Sequence, residues 1–357
     1  MKVILFTKYG SLAASTRYRF QQFEPFLKSQ NVEVHRQALL ENDYLHWKIQ
    51  GGKFGIRQTI FAFFQRIVLL LCIRRFDLAI VHCELFPYLP SWGERWLRWK
   101  KVPFLYDFDD AIFHQYDCNK KALVRQLFSK KIARIIHYAS GVYAGNQYLA
   151  DYSKQFNKNV HIFPTVVDLN RYTEKKWDNK EALFTIGWIG SPSTAAFVRE
   201  ITPALKKFLE TRKAKLVLIG AGKTEIPGLN YENVPWEEKS EIQNLHHFTV
   251  GIMPLREQTS WDKGKCAFKL IQYMACGIPV IGSRIGANIE VVPEEEVGFL
   301  ATTTEEWLAA LEKLYQNREL ARRLGGNGRK RVEKLYSLQG IQVQWLEQMQ
   351  KAAKTPC

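Results

Sequence analysis

The chain contains the same succession of a buried strand, a glycine-containing loop and a helix at two places. Residues 2–7 (KVILFT) lead through Gly10 into a helix that ends near Lys28, and Phe184–Ile189 leads through Gly190 into another helix. Further apolar strands alternate with helical segments in each half, which is the pattern of a parallel sheet with helices on both faces. The sequence therefore predicts an α/β protein with two doubly wound, Rossmann-like domains facing each other across a cleft.

The length of the chain and a polar linker set the expected domain boundaries. A chain of 357 residues is expected to form roughly two domains of about 150–200 residues each. A polar segment begins at Val166–Tyr172 and continues to about Glu181. We expect the first domain to cover residues 1–172 and the second to cover residues 173–337.

The composition indicates a basic globular protein from a reducing compartment. The formal net charge is +16 at pH 7, which predicts an anionic partner such as nucleic acid, an anionic membrane face or a phosphorylated substrate. The six cysteines show neither a CxxC pair nor a zinc-ligand spacing, so a cytoplasmic location is expected. Lys2 is followed directly by a strand, so we predict no signal peptide. No apolar run reaches about 18 residues, so we predict no transmembrane helix.

The segment Trp261–Glu290 combines a lysine-rich loop, a short apolar helix that stops at Gly277, a buried strand and a second loop. A loop that enters a helix presents unpaired backbone N–H groups, and α/β proteins hold phosphate there. The second loop consists of Gly286, Ala287 and Asn288. The nearby positive charge comes from Lys263, Lys265 and Lys269. The alternative interpretation is an ordinary surface loop with solvated lysines.

A second candidate phosphate loop follows the first strand of the second half. It is the segment Gly190–Thr194 (GSPST), which opens a helix. Glycine permits the turn, Pro192 suits an early helical position, and Ser191 and Thr194 suit helix caps.

Two arginines occupy the first turns of the first helix. Arg17 and Arg19 follow the glycine-containing loop directly, and two guanidinium groups there can hold a phosphate in bidentate fashion. The alternative is that both are solvated charges on the helix surface.

Polar residues follow two strands of the first half. His82 and Glu84 come after Phe76–Val81, and Asn146 comes after Gly141–Ala144. Functional side chains of parallel sheets gather past the carboxyl ends of the strands, which makes all three candidates for substrate binding. A structural role is the alternative for His82.

An acidic cluster follows the strand Val102–Tyr106 in this otherwise basic chain. Asp107, Asp109 and Asp110 lie within four residues, so their carboxylates repel one another unless they meet cations or hydroxyl groups. We predict that Asp109 or Asp110 acts as a general base or binds a substrate hydroxyl. Asp107 is predicted to be structural.

Residues 53–75 form an apolar, basic helix with nonpolar residues around most of its circumference. We expect one side to pack on the core and the other to face an anionic membrane interface. The cations expected near lipid headgroups are Lys53, Arg57, Arg66, Arg74 and Arg75.

Two further helices are predicted in the first half. Trp92, Trp96 and Trp99 are spaced as a packing stripe along one helix. Residues 119–138 are predicted to form a single basic helix.

Several segments, taken in order, resemble the family-4 retaining glycosyltransferases of GT-B architecture. The resemblance covers most of the chain and is strongest from Ile186 to Tyr336. The segments of the second half are IGWIGSPST (186–194), VGIMPL (250–255), KCAFKLIQYMACGIPVIGS (265–283), GANIEVV (286–292), VGFL (297–300) and LARRLGGNGRKRVEKLYS (320–337). Those of the first half are STRYR (15–19) and LYDFDDAIF (105–113).

The resemblance implies a donor, an acceptor and a reaction. The donor would be a nucleotide-sugar with a UDP, GDP or dTDP leaving group, bound mainly by the second domain. The acceptor, a glycan or a lipid-linked cell-envelope molecule, would bind mainly to the first domain. Transfer would retain the anomeric configuration, with no metal and no cofactor beyond the donor. The last helix, residues 338–357, would return to the first domain. The basic surface and the apolar helix at 59–75, rather than the resemblance, suggest an anionic membrane surface as a candidate partner at the inner face of the cell membrane, and hence a lipid-linked or cell-envelope acceptor.

The positions of individual residues along the chain give them expected roles in this reaction. The residues expected to hold the donor are Ser191, Thr194, Pro235, Trp236, Lys265, Lys269, Gln272, Gly286, Ala287 and Asn288. Those expected at the reacting groups are Asp109, Asp110 and Lys269. Those expected to contact the acceptor or other substrate groups are Arg17, Arg19, His82, Glu84 and Asn146.

The sequence departs from the family pattern at one pair of positions. Two glutamates eight positions apart often precede the family's M-A-C-G run, whereas this chain has Gly264 and Gln272 there. Gln272 retains hydrogen-bonding capacity toward ribose hydroxyls, and Gly264 offers no side chain for the donor sugar. Lys265, Lys269 or Asp262 would have to make that contact.

Three other classes of function are compatible with these observations. One is a sugar-nucleotide epimerase of the same architecture, and another is a transferase that has lost activity with the two glutamates. The third is a non-enzymatic basic protein that binds nucleic acid or membrane. Nucleic acid is not the expected partner, because the chain has no RNA-recognition or helix-turn-helix signature and its basic residues are spread over both halves.

Overall fold

The computed structural model describes residues 1–44, 55–177, 183–256 and 259–354 of the chain. The chain divides into two compact units. The first unit contains Met1–Thr165, the short segment Gly264–Cys266 and the chain from Ile341 onward, and the second contains Val166–Lys263 and Ala267–Gly340. The first unit therefore ends at Thr165, before the predicted boundary at Tyr172.

A six-stranded parallel sheet forms the centre of the first unit, with strand order β2-β1-β3-β4-β5-β6. The strands are β1 (Lys2–Tyr9), β2 (Glu33–Leu40), β3 (Leu78–His82), β4 (Phe104–Phe108), β5 (Gly141–Ala144) and β6 (Val160–Ile162). The central strands are continuous apolar runs, because helices cover both faces of the sheet. The strand order reverses between β1 and β3, so the loops after these two strands flank the usual ligand-binding position of such a sheet.

Helices of the first unit alternate with its strands. They are α1 (Ala14–Arg19), α2 (Glu24–Ser29), α3 (Ile56–Leu71), α4 (Trp92–Trp99), α5 (His114–Asp117), α6 (Ala122–Phe128), α7 (Lys131–Tyr138) and α8 (Gln147–Lys154). Short 3₁₀ turns cover Gln21–Phe23 and Ile73–Arg75.

The second unit repeats this architecture, with strand order β12-β11-β10-β7-β8-β9 in a parallel sheet. Its strands are β7 (Phe184–Ile189), β8 (Ala214–Ile219), β9 (Glu232–Val234), β10 (Val250–Met253), β11 (Val280–Ser283) and β12 (Gly298–Ala301). Trp188 and Trp307 are fully buried in the core between this sheet and its helices. The order reverses between β7 and β10, where Gly187 pairs with Gly251.

The helices of the second unit lie on both faces of this sheet. They are α9 (Pro192–Ala195), α10 (Thr202–Thr211), α11 (Glu241–Leu245), α12 (Ser260–Lys263), α13 (Phe268–Ala275), α14 (Ala287–Val291), α15 (Thr304–Gln316) and α16 (Arg318–Leu335). A 3₁₀ segment covers Ala196–Ile201, and the last helix, α17 (Leu338–Lys354), joins the first unit from Ile341 onward. The predicted pair of doubly wound α/β domains is confirmed.

Two helix predictions for the first unit are wrong. Residues 119–138 form two helices, α6 and α7, separated by a turn at Ser129 and Lys130. Lys131, at the start of α7, turns inward, and its ammonium group ion-pairs with the buried Glu84. The tryptophans of α4 do not form a packing stripe, since Trp92 and Trp99 are each 65% exposed.

The long helix α3 packs on one side only. Its outer side is exposed as expected, but Arg66 is fully buried and is therefore not available to lipid headgroups. Lys53 lies outside the described residues. Within the described ranges, no helix has the length and apolar character needed to cross a bilayer. The five described cysteines are free thiols.

Candidate functional site

The loop after β8 lies against two predicted donor-site segments of the second unit, the Gly190 loop after β7 and the segment of Trp236 after β9. Gly220 follows β8 with a positive φ of 78°, and a Cβ added there would lie 2.3 Å from the carbonyl oxygen of Gly190 and 3.1 Å from Cβ of Trp236. Glycine is required at this position because the loops after β7, β8 and β9 approach so closely. Parallel sheets bind ligands at this edge, next to the strand-order reversal.

Lys269 is placed at the same point by α13. It lies in the first turn of that helix, and its ammonium group is 5.5 Å from the ring centre of the buried Trp188. A Cβ added to Gly190 would lie 2.9 Å from Cε of Lys269, so the lysine side chain passes directly over this glycine. The structure thus sets one cation beside the Gly190 loop at the end of β7.

The loop after β7 has the predicted capping arrangement. The backbone N–H of Ser191 donates to Oγ1 of Thr194 over 3.3 Å, and Pro192 occupies the first turn of α9. Helix α9 has only four residues, so its dipole contributes little, and the exposed hydroxyl groups of Ser191 and Ser193 are its main hydrogen-bonding groups. The loop can donate hydrogen bonds to an anion, but it adds little charge.

The loop after β11 is shaped by Gly286. Its φ is 53°, and a Cβ there would lie 2.5 Å from the carbonyl oxygen of Lys263, so only glycine fits. The backbone N–H groups of Gly286 and Ala287 have no acceptor within the described part of the chain. Asn288 is fully buried and its amide donates to the carbonyl oxygen of Ser283 over 2.9 Å. The backbone of this loop, rather than the Asn288 side chain, is therefore available to an anion.

A buried carboxylate links two other predicted donor-site residues. Glu241, only 2% exposed, accepts from Nε1 of Trp236 at 2.6 Å and from the hydroxyl of Tyr172 at 2.7 Å. The amide of Gln272 donates to that hydroxyl at 2.7 Å and reaches Oε1 of Glu241 at 3.4 Å. Trp236 and Gln272 are thus held in one network, and Pro235 lies in the connection between β9 and this network.

Sequence reasoning missed Glu241 and Tyr172. Glu241 stands in the polar segment WEEKSEIQ, where nothing distinguishes it from neighbouring glutamates that are exposed. Tyr172 was placed at the domain boundary because of its polar surroundings. Burial is the property that separates both from their neighbours, and burial here depends on contacts distant in sequence.

A buried charge network lies at the carboxyl edge of the first unit's sheet. Arg19 forms a bidentate ion pair with Asp107, with Nε 2.9 Å from Oδ1, and Nη1 donates to the carbonyl oxygen of Phe163 at 2.8 Å. Nδ1 of His82 is 3.0 Å from Oδ1 of the same aspartate. The structural role predicted for Asp107 agrees with this geometry, and Arg19 is neither solvated nor free for phosphate.

The pKa values in this network are coupled. Burial opposes ionisation of Asp107, but the charge of Arg19 and the hydrogen bonds from His82 and Arg19 outweigh it and lower the pKa of Asp107. Burial likewise opposes protonation of His82, yet its acidic surroundings raise its pKa well above the usual value. Burial raises the pKa of Cys83, so its thiol is neutral at neutral pH and the aspartates supply the negative charge.

Asp109 and Asp110 lie at the accessible rim of this network. The side chain of Asp109 is 19% exposed, and its Oδ1 is 3.8 Å from Nε2 of His82. Asp110 is more exposed and ion-pairs with Lys265 at 3.2 Å. Lys265 thus belongs to the first unit and neutralises an aspartate there, which differs from its predicted place on the donor.

The segment around Gly264 explains one departure from the family pattern. A Cβ at this position would lie 2.7 Å from the backbone nitrogen of Ala111, so a glutamate cannot occupy it without displacing the backbone. Nδ2 of Asn146 donates to the carbonyl oxygen of Gly264 at 2.9 Å, while its Oδ1 caps α8 by accepting from Leu149. Asn146 therefore has a structural task in this packing.

Two further residues that were predicted to bind substrate make contacts inside the first unit. The carboxylate of Glu84 ion-pairs with Lys131 and accepts from the hydroxyl of Tyr116 at 2.6 Å, all out of solvent. Arg17 is buried, and its Nη1 donates to the carbonyl oxygen of Leu12 at 2.7 Å. Neither residue is a solvated surface charge.

Among the described residues, two groups of side chains have a geometry compatible with a metal ion. They are His82, Cys83 and Asp109, and His114, Asp117 and Cys118, whose ligand atoms lie within 4.8 Å of one another in each group. The first group already uses Nδ1 of His82 for Asp107, and the second is partly exposed.

Comparison with known proteins identifies the second unit's relationship. Residues 183–317 match the family described as Glycosyl transferases group 1. Over 85 residues the chain is 38% identical to the MMP alpha-(1->4)-mannosyltransferase of Mycolicibacterium hassiacum, a stretch that covers 23% of this chain and 21% of that protein. The chain spans less than half the length of the curated relatives that it matches.

Solved structures extend the similarity in fold to nearly the whole chain. Sucrose-phosphate synthase from Thermosynechococcus elongatus is 15% identical, with a TM-score of 0.72 over 98% of each chain. Anabaena HepE in complex with UDP-glucose is 14% identical, with a TM-score of 0.69 over 98% of this chain and 100% of that one. These comparisons confirm the predicted GT-B fold. The group 1 match contains Ser191, Thr194, Trp236, Lys269 and Gln272.

Proposed function

We propose that this protein transfers a sugar from a nucleotide-sugar donor to a glycan or lipid-linked cell-envelope acceptor. The observation that carries the proposal is the position of Lys269 against Gly190, at the end of β7 within the glycosyltransferase-like segment. The mannosyltransferase relative supports sugar transfer as the reaction, and the UDP-glucose complex of HepE supports a nucleotide-sugar as the donor class. Transfer proceeds with retention of the anomeric configuration and without a catalytic metal.

The donor diphosphate is assigned to the carboxyl edge of the second unit's sheet. Departure of the nucleoside diphosphate concentrates negative charge on its oxygens, and a preorganised cation beside them lowers the barrier. Lys269 supplies that cation. The backbone N–H groups of Gly286 and Ala287 and the hydroxyl groups of Ser191 and Thr194 supply hydrogen bonds to the same phosphates.

The nucleoside is assigned to the Glu241 network. Trp236 offers an aromatic face next to Gly220, and its indole is fixed by the hydrogen bond to Glu241. Gln272 is only 5% exposed, so we assign it to a buried ribose hydroxyl rather than to a solvated group. Glu241 supplies the carboxylate that the family pattern places at position 272.

The acceptor side is assigned to the rim of the first unit's charge network. Asp109 is partly exposed, and His82, behind it, is fixed by Asp107 and Arg19. We assign to Asp109 and Asp110 the contacts with the acceptor hydroxyl or the donor sugar. His82 then positions Asp109, whereas Glu84, Asn146 and Arg17 stabilise the unit.

A transfer assay tests this function. The protein is incubated with UDP-, GDP- and dTDP-sugars in the presence and absence of an extracted cell-envelope glycolipid fraction, with EDTA present. We expect release of nucleoside diphosphate in proportion to glycosylated product, and NMR coupling constants that show the donor's anomeric configuration in the product. An epimerised nucleotide-sugar formed without acceptor, or a product of inverted configuration, would contradict the proposal.

Two variants sharpen this assay. Asp109→Asn is expected to lower the transfer rate about 10²-fold, in the range for loss of an acid–base group. Asp151→Asn, at a 60% exposed carboxylate of the same unit, is the matched control and should leave the rate unchanged. Equal rates for both variants would remove Asp109 from the reaction.

A further inference from the structure

The outer side of α3 is an exposed apolar face. Each of its outward residues keeps between 44% and 63% of its surface exposed, and they follow one another at helical spacing. They are Ile60, Phe61, Phe64, Ile67, Val68 and Leu71. Monomeric soluble proteins seldom expose a continuous apolar face of this kind unless something binds there.

This face belongs to a helix that is firmly attached to the first unit. The buried Arg66 donates from Nε to Gln37 Oε1 at 2.6 Å, and from its Nη atoms to the carbonyl oxygens of Leu85 at 2.9 Å and Thr7 at 2.7 Å. Nε1 of Trp96 donates to the carbonyl oxygen of Leu70 at 3.0 Å. The apolar residues are therefore exposed on a packed helix whose inner side is already satisfied.

Neighbouring elements expose further apolar side chains. Phe63 of α3 contacts Phe86 at a ring distance of 5.4 Å, and the loop that follows exposes Tyr88 and leads into α4, whose Trp92 and Trp99 are each 65% exposed. Tyr88 also packs on Tyr116 at 5.6 Å, and Tyr116 contacts Phe128 of α6 at 5.9 Å. Helix α6 presents two more exposed apolar residues one turn apart, Leu123 and Leu127.

Many cations lie on the same elements as these apolar residues. The exposed or half-exposed basic residues on the same elements and the turns that flank them are Arg57, Arg74, Arg75, Arg95, Arg98, Lys100, Lys101, Lys120, Lys121, Arg125 and Lys130. Across the described segments 55–77, 88–102 and 119–131, Asp77 is the one exposed acidic residue, and Glu94 is buried. An apolar face with many cations on the same elements, and nearly without carboxylates, matches the chemistry of an anionic lipid surface.

We propose that α3, α4 and α6 form a docking surface for an anionic lipid bilayer. The aromatic and aliphatic side chains enter the headgroup and acyl boundary, and the arginines and lysines of the same elements remain at the lipid phosphates. Trp92 and Trp99 suit this depth because an indole ring is amphipathic. Docking deepens the proposed function by naming the surface that presents a lipid-linked acceptor to the enzyme, but it does not require that transfer occur.

Other occupants of the surface fit less well. Nucleic acid would be recognised by the cations, but it gives no reason for aliphatic residues such as Ile60, Leu71 and Leu127 to be exposed. A second copy of the chain would place the same cations opposite one another in an isologous contact, which like-charge repulsion disfavours. In a bilayer, the lipid phosphates neutralise the cations, and the acyl region buries the apolar residues.

Vesicle flotation tests the proposal with the whole chain. The protein is mixed with phosphatidylcholine vesicles, with and without about one third phosphatidylglycerol, at low and high salt. We expect binding to the anionic vesicles, weakened by salt, and little binding to the neutral ones. Phe61→Gln/Phe64→Gln is expected to weaken the binding at least about tenfold. Arg74→Gln/Arg75→Gln is expected to weaken it about fivefold for each charge removed.

Matched controls lie on other surfaces. Leu335→Gln/Val343→Gln replaces two exposed apolar residues elsewhere, and Lys206→Gln/Lys207→Gln replaces two exposed cations of the second unit. Both controls should bind vesicles like the unaltered chain. Failure of the unaltered chain to bind anionic vesicles at low salt would overturn the proposal, as would equal binding by test and control variants. A dimer in size-exclusion chromatography that Phe61→Gln/Phe64→Gln dissociates would do the same, by assigning the surface to a second copy.

Discussion

Replacement of Lys269 by alanine is expected to lower kcat/KM for transfer about 10²–10³-fold, the range for loss of one group that stabilises developing charge. The expectation follows from the structure, because Lys269 is the cation that α13 places over Gly190 at the end of β7. The other groups assigned to the leaving diphosphate, the backbone N–H groups of Gly286 and Ala287 and the hydroxyl groups of Ser191 and Thr194, are neutral. Initial velocities at subsaturating donor measure the effect directly.

Lys206→Ala is the matched control for this variant. Lys206 is 56% exposed on α10 of the same unit and makes only a long ion pair with Glu210 at 3.9 Å. The control should keep the unaltered rate, which separates a local contribution from a general change of charge. A Lys269→Ala enzyme with a rate within about threefold of the control would remove this lysine from the mechanism.

Asp107→Asn is expected to lower the free energy of unfolding by about 3–5 kcal/mol, the range for removing one partner of a buried ion pair. The variant leaves the guanidinium of Arg19, with its side chain 3% exposed, without the carboxylate that pairs with it directly. Urea denaturation followed by circular dichroism measures the change. The magnitude is large because water cannot reach Arg19 to replace the lost carboxylate.

The control for Asp107→Asn is Glu232→Gln. Glu232 forms an exposed pair with Lys215, with 54% and 42% of the two side chains accessible, so its loss should cost at most about 0.5 kcal/mol. A change below about 1 kcal/mol for Asp107→Asn would show that the network contributes little to stability.

The same network predicts how stability depends on pH. The folded-state pKa of Asp107 is lowered, so its contribution is present above the unfolded value near 3.9 and is lost as pH falls through the folded value. The folded-state pKa of His82 is raised, so its contribution is full below about 6.5 and is lost as pH rises through the folded value. Both contributions to the free energy of unfolding are therefore complete between about pH 4 and 6.5. Asp107→Asn removes the carboxylate on which both depend, so the stability of this variant should depend less on pH.

Much of the fold could be predicted from the sequence, because parallel strands covered on both faces are continuous apolar runs. The runs at Gly141–Ala144 and Phe184–Ile189 illustrate this, since each is bounded by turn residues and each forms a strand of those bounds. Helix ends followed equally local signals, such as Ser191 with Pro192. The single helix predicted for residues 119–138 was wrong because the turn at Ser129 and Lys130 has no glycine or proline that would mark it in the sequence.

Less of the candidate site could be predicted from the sequence, because contacts between residues distant in sequence decide which of its charged side chains are buried and paired. Arg19 resembles any surface arginine until Asp107, 88 residues away, neutralises it. Glu241 resembles its exposed neighbours until Tyr172 and Trp236 enclose it. The position of Lys269 could be predicted, because it lies at the start of α13, between β10 and β11 along the chain, and helices of a parallel sheet begin near the carboxyl ends of its strands.

Titration calorimetry with UDP, GDP and dTDP in the presence of EDTA tests the central claim most directly. We expect one of these nucleotides to bind with a Kd of roughly 1 µM–1 mM, the range of enzyme substrates. Lys269→Ala and Glu241→Gln should each weaken that binding about tenfold or more, as expected for loss of a charged hydrogen-bonding group. The assignment of the donor site to Lys269 and Glu241 is contradicted if none of the three nucleotides binds, or if binding is unchanged in both variants.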